Sequence, residues 1–277
     1  MKVVESFVMG KHPDQSLCED VIISTPDFVG VVDGATDKSG ARFEGKTGGK
    51  FAADVIASEF SRLPADSTAR AAVEAVSVAL RDELRRVRPD VEPSSTDGPT
   101  ATLLAFSAAR NEVWRVGDAA WISSAADKQS VTRKIDAVCG AARGALIRAY
   151  ELAGREIPSG EDPGRALIKP LLEAQYIFRN NEAAEDLAFG AIDGGPVPDM
   201  CLEIFEIDAT AHSELAFGSD GYQEVFMSLA ETERQLERLL RDDPMLVRGE
   251  FPETKGLLDG MNSFDDRAYI RFDIVEK

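Results

Sequence analysis

The sequence predicts one α+β domain with antiparallel sheets and helices packed outside them. The first 34 residues contain short apolar segments that follow one another as strands, without helices between them. Two amphipathic helices come next, and strands and helices then continue without the strict alternation of a parallel βαβ series. The parts before Pro89 and after Thr100 each contain too few strands to fold alone. We therefore expect a single domain over residues 1–277.

Hydrophobic periodicity predicts the elements before the loop at Pro89–Pro99. In the first helix the apolar residues recur on one stripe from Phe51 to Phe60, and in the second they recur from Val73 to Val87. The predicted strands are Lys2–Met9, Asp20–Ser24 and Phe28–Val32, and the helices are Lys50–Leu63 and Ala69–Val87.

After that loop, alternating apolar residues predict a hairpin whose turn lies at Ala109–Asn111. Residues 133–180 are expected to be mostly helical, with a break near Pro158–Pro163. The remaining predictions are strands at Ala101–Ser107, Glu112–Ser123, Cys201–Ile207, Leu215–Gly218 and Ala268–Val275, and a charged helix over Tyr222–Arg241.

The composition indicates an acidic globular protein. Lys plus Arg is 31 and Asp plus Glu is 49, so the net charge is −18. This charge argues against binding of nucleic acids or anionic membranes, because phosphates would be repelled, and it suits divalent cations. Cys18, Cys139 and Cys201 do not form the pattern of a disulfide framework or a zinc site. With no signal peptide and no apolar run near the roughly 18 residues of a membrane span, we expect a cytoplasmic protein.

Acidic residues stand at the ends of the predicted strands, beside glycine or a second acid. An acid in this position is held by its strand but projects beyond the apolar layer. Several acids that converge repel one another unless a cation neutralises them. Mg²⁺ and Mn²⁺ prefer carboxylate and carbonyl oxygens. One Asp-Gly pair is typical of a turn, so the prediction depends on the whole set. The set is Glu19–Asp20, Asp33–Gly34, Gly117–Asp118, Asp220–Gly221 and Asp265–Asp266.

The order of these motifs resembles the metal-dependent protein phosphatases of the 2C type (the PPM family), in a divergent bacterial form. The motifs are CED, VVDGATD, GPTATLLAF, VWRVGDAAWI, LAFGSDGYQEVF and FDDRAYIRFDI. The resemblance implies a four-layer αββα sandwich, two antiparallel sheets flanked by helices. It also implies a Mg²⁺- or Mn²⁺-dependent hydrolysis of phosphate monoesters without a covalent intermediate. The implied substrate is phosphoserine or phosphothreonine in proteins, with small phosphorylated molecules as the other class.

The resemblance further implies roles for single residues. Glu19 and Asp20 would hold metal-bound waters. Asp118 and Glu224 match positions that hold a third ion in some relatives, and Asp266 could replace its neighbour as a ligand. The implied ligands of two metal ions are Asp33, which would bridge them, the carbonyl of Gly34, Asp220 and Asp265.

Two family residues are absent. The family has His after its Asp-Gly, where this chain has Ala35. Of the two histidines, His212 is expected too far along its strand, and only His12 could reach the site. The phosphate-binding Arg that precedes the acidic pair in the family is also missing, so we predict Lys11 in this role. The alternatives are basic residues of the inserted segment, Lys38, Arg42 and Lys46.

Two other functions stay open. Gly40–Thr47 fits the phosphate-binding pattern GxxxxGK[ST], which would indicate a nucleotide hydrolase. The early end of the preceding strand and the antiparallel character of the chain argue against it. The absent His and Arg would suit a non-catalytic binding or regulatory protein of the phosphatase fold. The segment 133–180 matches a variable region near the cleft of relatives and is a hypothetical lid or partner surface.

Overall fold

Ten strands form two antiparallel five-stranded sheets in the computed structural model, which describes residues 1–35, 40–158, 160–249 and 252–274. The strands are β1 (Lys2–Met9), β2 (Val21–Ser24), β3 (Phe28–Gly34), β4 (Ala101–Ser107), β5 (Glu112–Val116), β6 (Ala120–Ser123), β7 (Lys128–Gln129), β8 (Glu203–Glu206), β9 (Glu214–Gly218) and β10 (Arg267–Asp273). One sheet has the order β1-β10-β9-β6-β7 and the other the order β2-β3-β4-β5-β8.

Five α-helices are present in these ranges, and side-chain caps begin four of them. Thr47, Thr68, Asp162 and Ser228 each accept a hydrogen bond from a backbone N–H of the first helical turn. The helices are α1 (Gly48–Phe60), α2 (Ala69–Val87), α3 (Lys134–Leu152), α4 (Pro163–Ala174) and α5 (Leu229–Asp242). Short 3₁₀ turns lie at Gln15–Leu17, Gln175–Ile177, Glu182–Leu187 and Asp199–Cys201.

The two sheets face each other, and β3 shows how the layers form. Val29 and Val31 point into the core between the sheets, whereas Phe28 and Val32 point to the other side, against α1 and α2. Strands buried on both faces explain the continuous apolar runs of the sequence. On the opposite side α5 packs over β9 and β10. The architecture is therefore the expected αββα sandwich.

Helices α3 and α4 pack against each other around a small core of their own. This core contains Ile135, Cys139, Ile168 and Leu172. The helical prediction for 133–180 and the break within it are thus confirmed. No helix in the described ranges has the length and apolar character needed to cross a bilayer.

Several predicted elements differ from the structure by one to three residues at an end, and two predictions were wrong by more than that. The strand expected over Glu112–Ser123 is divided at Gly117 into β5 and β6, which belong to different sheets. Gly117 has φ +110°, and a Cβ there would lie 2.4 Å from the side chain of Thr102. The helix expected from Tyr222 begins only at Leu229, because Tyr222 and Val225 are buried in the turn before it. Of the last predicted strand, Val275 lies outside the described residues.

Candidate metal centre

The fold brings the predicted acids to one end of the sandwich. β2 and β3 are antiparallel, so Glu19–Asp20 before β2 and Asp33 near the end of β3 lie at the same sheet edge. β9 and β10 are also antiparallel, which places Asp220 beside Asp265–Asp266. The turn between β5 and β6 contributes Asp118. The sequence set thus forms one spatial cluster.

Asp33 and Asp220 lie in contact at the middle of this cluster. The backbone N–H of Asp220 donates to Oδ2 of Asp33 at 3.4 Å. Burial raises the pKa of Asp33 well above its ordinary value, and the negative charges of Asp220 and Asp20 raise it further. Burial and repulsion at this pair therefore outweigh the positive charges of Lys11 and Lys255, which also act on Asp33.

The two carboxylate oxygens of Asp20 lie in different surroundings. Asp20 is only 3% exposed, and its Oδ2 accepts a hydrogen bond of 2.6 Å from Ser219 Oγ. Oδ1 accepts no hydrogen bond within the described residues. Burial raises the pKa of Asp20 to about 7; the charges of Asp220 and Asp266 add to this shift, and the Ser219 hydrogen bond opposes it. A buried acceptor among like charges is suited to a hard cation.

Gly34 allows three backbone segments to meet beside these acids. A Cβ on Gly34 would lie 2.5 Å from the carbonyl carbon of Gly49 and 2.8 Å from the carbonyl oxygen of Glu19. A Cβ on Gly49 would in turn lie 2.6 Å from Gly34. A side chain at Gly49, in the first turn of α1, would therefore prevent the close packing of α1 against the end of β3.

Lys11 lies inside the acidic cluster as an ion-pair partner. Its Nζ is 3.0 Å from Asp265 Oδ1, 3.3 Å from Asp266 Oδ2 and 3.7 Å from Glu19 Oε2. Burial lowers the pKa of Lys11, but attraction to Asp266 and Glu19 outweighs it, so the pKa is raised. Asp266 also accepts the backbone N–H groups of Lys11 and Glu19, at 2.7 and 3.2 Å. Asp266 thereby fastens the N-terminal segment to β10.

A second lysine, Lys255, also contacts the cluster, and no sequence motif indicates it. Lys255 lies in the loop between α5 and β10, and its Nζ contacts Oδ2 of Asp265. It lines a cavity together with Asp33 and Asp220. Because Lys11 contacts the other oxygen, both oxygens of Asp265 face an ammonium group.

The predicted third-ion residues are each paired with a cation. Asp118 Oδ2 lies 3.0 Å from Arg133 Nε. Burial raises the pKa of Asp118 to about 6, against the opposing charge of Arg133. Glu224 is 2.9 Å from Lys128 Nζ, with 44% of its side chain exposed. Both acids line the cavity.

The cavity has a volume of about 530 Å³, and basic residues complete its walls. Arg179 is held by Asp193 at 2.7 Å and by Thr100 Oγ1 at 2.7 Å. Arg165 donates to the carbonyl of Thr254 at 2.7 Å and forms no ion pair within the described ranges. The basic residues of the lining are Lys128, Arg133, Arg165, Arg179 and Lys255.

Glu253 is a further lining residue that the sequence did not indicate. It accepts a hydrogen bond of 2.8 Å from Gln223 Nε2. Burial raises the pKa of Glu253 to about 7; the Gln223 hydrogen bond opposes the shift and the charge of Asp220 adds to it. Glu253 is therefore a carboxyl that can exchange a proton near neutral pH.

In the described structure, neither histidine ring contacts an acid of the cluster around Asp33 and Asp220. Nδ1 of His12 accepts the backbone N–H of Asp14, and His212 contacts Ser123 Oγ and Asp127. The expectation for His212 is confirmed, whereas His12 is engaged in its own loop.

The GxxxxGK[ST] segment does not form a phosphate-binding loop between a parallel strand and a helix. β3 pairs antiparallel with both neighbours and ends at Gly34. Phe43 is buried and stacks on Phe51, and Lys46 Nζ pairs with Asp54 at 2.8 Å. Of the proposed alternatives for phosphate binding, Lys38 lies outside the described residues.

The donors fit a divalent cation better on one side of the cluster than on the other. Within the described ranges, no group of three or more Asp, Glu, His or Cys side chains is placed so that the group as it stands could hold a metal ion. On the side of Asp33, Asp220 and Asp20, repelling carboxylates and the orphaned oxygen fit a cation. On the other side, lysines already hold Asp265.

Comparisons with known proteins give matches among solved structures. No protein-family model matches the chain, and a search of curated proteins finds no match. The chain is similar to the serine/threonine phosphatase PstP/Ppp of Mycobacterium tuberculosis, at 16% identity and TM-score 0.48, over 99% of this chain and 100% of that one. It is similar to the serine/threonine phosphatase Stp1 of Staphylococcus aureus at 16% identity and TM-score 0.49, over 100% and 96%.

A third similar structure is the catalytic domain of PstP in complex with two manganese ions. It has 15% identity and TM-score 0.47, over 99% of this chain and 100% of that one. These proteins are serine/threonine phosphatases, the class that the motif order of this chain resembles. At these identities and TM-scores the likeness carries no argument of its own, so the functional argument rests on the residues of this chain.

Proposed function

We propose that this protein is a Mg²⁺- or Mn²⁺-dependent phosphatase that hydrolyses phosphate monoesters. The substrates that we propose are phosphoserine and phosphothreonine in proteins. The observation that carries the proposal is the cluster of Asp33, Asp220 and Asp20. These carboxylates are buried and repel one another, so a cation would stabilise them, and Asp33 and Asp220 line the cavity. Basic residues on the same cavity walls supply the complement to a phosphate group.

The metal-holding residues in this proposal are those that the motifs imply. Glu19 and Asp20 would support the ligands through water, and Asp118 with Glu224 would hold a third ion after separation from Arg133 and Lys128. When bound, the ions supply positive charge that lowers the pKa of a water molecule and offsets the charge of the phosphoryl oxygens. The ligands would be Asp33, the Gly34 carbonyl, Asp220 and Asp265.

Arg165 is the residue that we assign to phosphate binding. It lines the cavity, and no carboxylate of the described ranges lies within ion-pair distance of its guanidinium, although the charge of Asp162 acts on it, so it is available to an anion. Lys11, by contrast, already contacts three carboxylates. An arginine can hold two phosphoryl oxygens at once, which a lysine cannot do with the same geometry.

Glu253 is the residue that we assign to protonation of the leaving alcohol, in place of the family histidine. A carboxyl with a pKa of about 7 is largely protonated just below neutral pH and can donate to an alkoxide. Glu253 and Arg165 both line the cavity that contains Asp220.

One observation favours a second function, a phosphatase-fold protein that binds a partner without catalysis. Lys11 and Lys255 neutralise Asp265 without any metal ion. A chain that replaces its metal charge with lysines could keep the fold for binding alone. Metal binding separates the two functions.

The test is hydrolysis of p-nitrophenyl phosphate by metal-stripped protein to which Mn²⁺ or Mg²⁺ is returned. We expect metal-dependent turnover that falls by about a hundredfold or more in Asp33→Asn and in Asp220→Asn. Asp54→Asn is the matched control, because Asp54 pairs with lysines on the surface of α1. Turnover that needs no metal, or that survives in Asp33→Asn, would exclude the proposal. A phosphothreonine peptide assayed in parallel addresses the substrate class.

A further inference from the structure

The two sides of the acidic cluster differ in how their charge is compensated. On one side, Lys11 Nζ lies 3.0 Å from Asp265 Oδ1 and Lys255 Nζ contacts Oδ2. On the other side, no lysine or arginine of the described ranges lies within ion-pair distance of Asp33 or Asp220, and Asp20 Oδ1 accepts no hydrogen bond there. The charge of Lys255 acts on Asp33 and Asp220 without a direct contact, so these two acids are less compensated than Asp265.

The two lysines at Asp265 are not equivalent. Lys11 is held by Asp266 and Glu19 as well, and its own backbone N–H donates to Asp266. Lys255 has one carboxylate in contact, and it lines the cavity. A lysine is a point charge on a flexible stem, so Lys255 can leave Asp265 without the rearrangement that Lys11 would need.

We propose that the Lys255 ammonium takes the place of a second metal ion at Asp265. The chain then binds one divalent ion tightly at Asp33 and Asp220, and a second ion binds only when Lys255 is displaced. This inference rests on the proposed function, because it concerns how the same centre is filled.

The Lys255 ammonium and a second divalent ion would therefore compete for the carboxylate of Asp265. An ion at Asp265 must separate Asp265 from Lys255 and also approach the positive charges of Lys11 and Lys255. Loss of the Lys255 ammonium removes its share of this opposition while Lys11 stays in place, so the second binding constant is the quantity that responds. The first ion, which does not use Asp265, responds less.

The experiment is a Mn²⁺ titration of the metal-stripped protein, with free Mn²⁺ counted by its electron paramagnetic resonance signal. For the wild type we expect one tight ion per chain and a second that is weaker. In Lys255→Met the second ion is expected to bind about tenfold more tightly or better. Lys255→Arg keeps the charge and should behave as the wild type does. Lys46→Met is the control for loss of a lysine elsewhere, since Lys46 pairs with Asp54.

The outcomes separate this inference from the proposed function. Two equally tight ions in the wild type, or a second site that Lys255→Met leaves unchanged, overturn the inference and leave the phosphatase proposal intact. Absence of Mn²⁺ binding in both proteins overturns both. If Lys255→Met fails to fold, Asp265→Asn replaces it. The inference then predicts that the tight ion is retained, and loss of that ion refutes it.

Discussion

Metal-free protein is expected to lose stability as the pH rises from about 5 to about 7, because Asp20 must then ionise inside the cluster. In the unfolded chain Asp20 ionises near its ordinary pKa of 3.8, whereas in the folded protein it keeps its proton to about pH 7. Between these values the folded state binds more protons, so the free energy of unfolding decreases as the pH rises. The stability that protonation gives is fully present only below about pH 4.

The magnitude follows from the same two values. Each pH unit is worth about 1.4 kcal/mol in the middle of the interval and about half of that at the folded-state pKa, so Asp20 alone contributes a loss of roughly 2 kcal/mol between about pH 5 and about pH 7. Glu253, with a pKa of about 7, and Asp118, at about 6, add losses of the same sign. Surface acids whose pKa is lowered, such as Asp54, change stability at lower pH, below 3.8.

Urea unfolding in the presence of EDTA measures this effect, with the fluorescence of the buried Trp114 and Trp121 as the signal. Asp20→Asn is the decisive variant, since its amide oxygen still accepts the Ser219 hydrogen bond but does not titrate. We expect the variant to lose less stability than the wild type over this pH interval. Equal losses in the two proteins, or a wild type that gains stability as the pH rises, would refute the reasoning.

Three further substitutions test other parts of the site. Gly34→Ala should destabilise the protein by about 1–3 kcal/mol, because the new methyl group meets the backbone of Gly49; a melting temperature equal to that of the wild type would contradict this. Arg165→Gln should raise KM for p-nitrophenyl phosphate about tenfold with a smaller change in kcat, and an unchanged KM would remove Arg165 from phosphate binding. Glu253→Gln should lower kcat and abolish its decline above about pH 7; a pH–rate profile with the same alkaline limb would exclude Glu253 as the proton donor.

Much of the fold follows from local patterns that burial enforces. α2 has the predicted bounds because its apolar stripe faces the core. β1 also has the predicted bounds, although none of its residues is fully buried, because it pairs with β10 from Lys2 to Met9. The division at Gly117 could not be predicted in this way, since the apolar alternation continues through both strands. Only the pairing partners, β4 on one side and β9 on the other, distinguish them.

The acidic cluster was predictable for a similar reason, because each acid adjoins an apolar strand and antiparallel pairing brings those ends together. The cations around it were not. Lys255 and Arg165 lie in a loop and in α4, outside any strand motif, and their positions depend on tertiary packing. Lys11, the basic residue that precedes the acidic pair in sequence, contacts Asp265 and Asp266 and so lies among the acids rather than opposite them.

Crystals grown with Mn²⁺, and an anomalous difference map at the manganese absorption edge, would test the central claim most directly. The account predicts the strongest peak between the carboxylates of Asp33 and Asp220. A map with no peak at these residues, in crystals soaked to saturation, would contradict the metal-dependent mechanism.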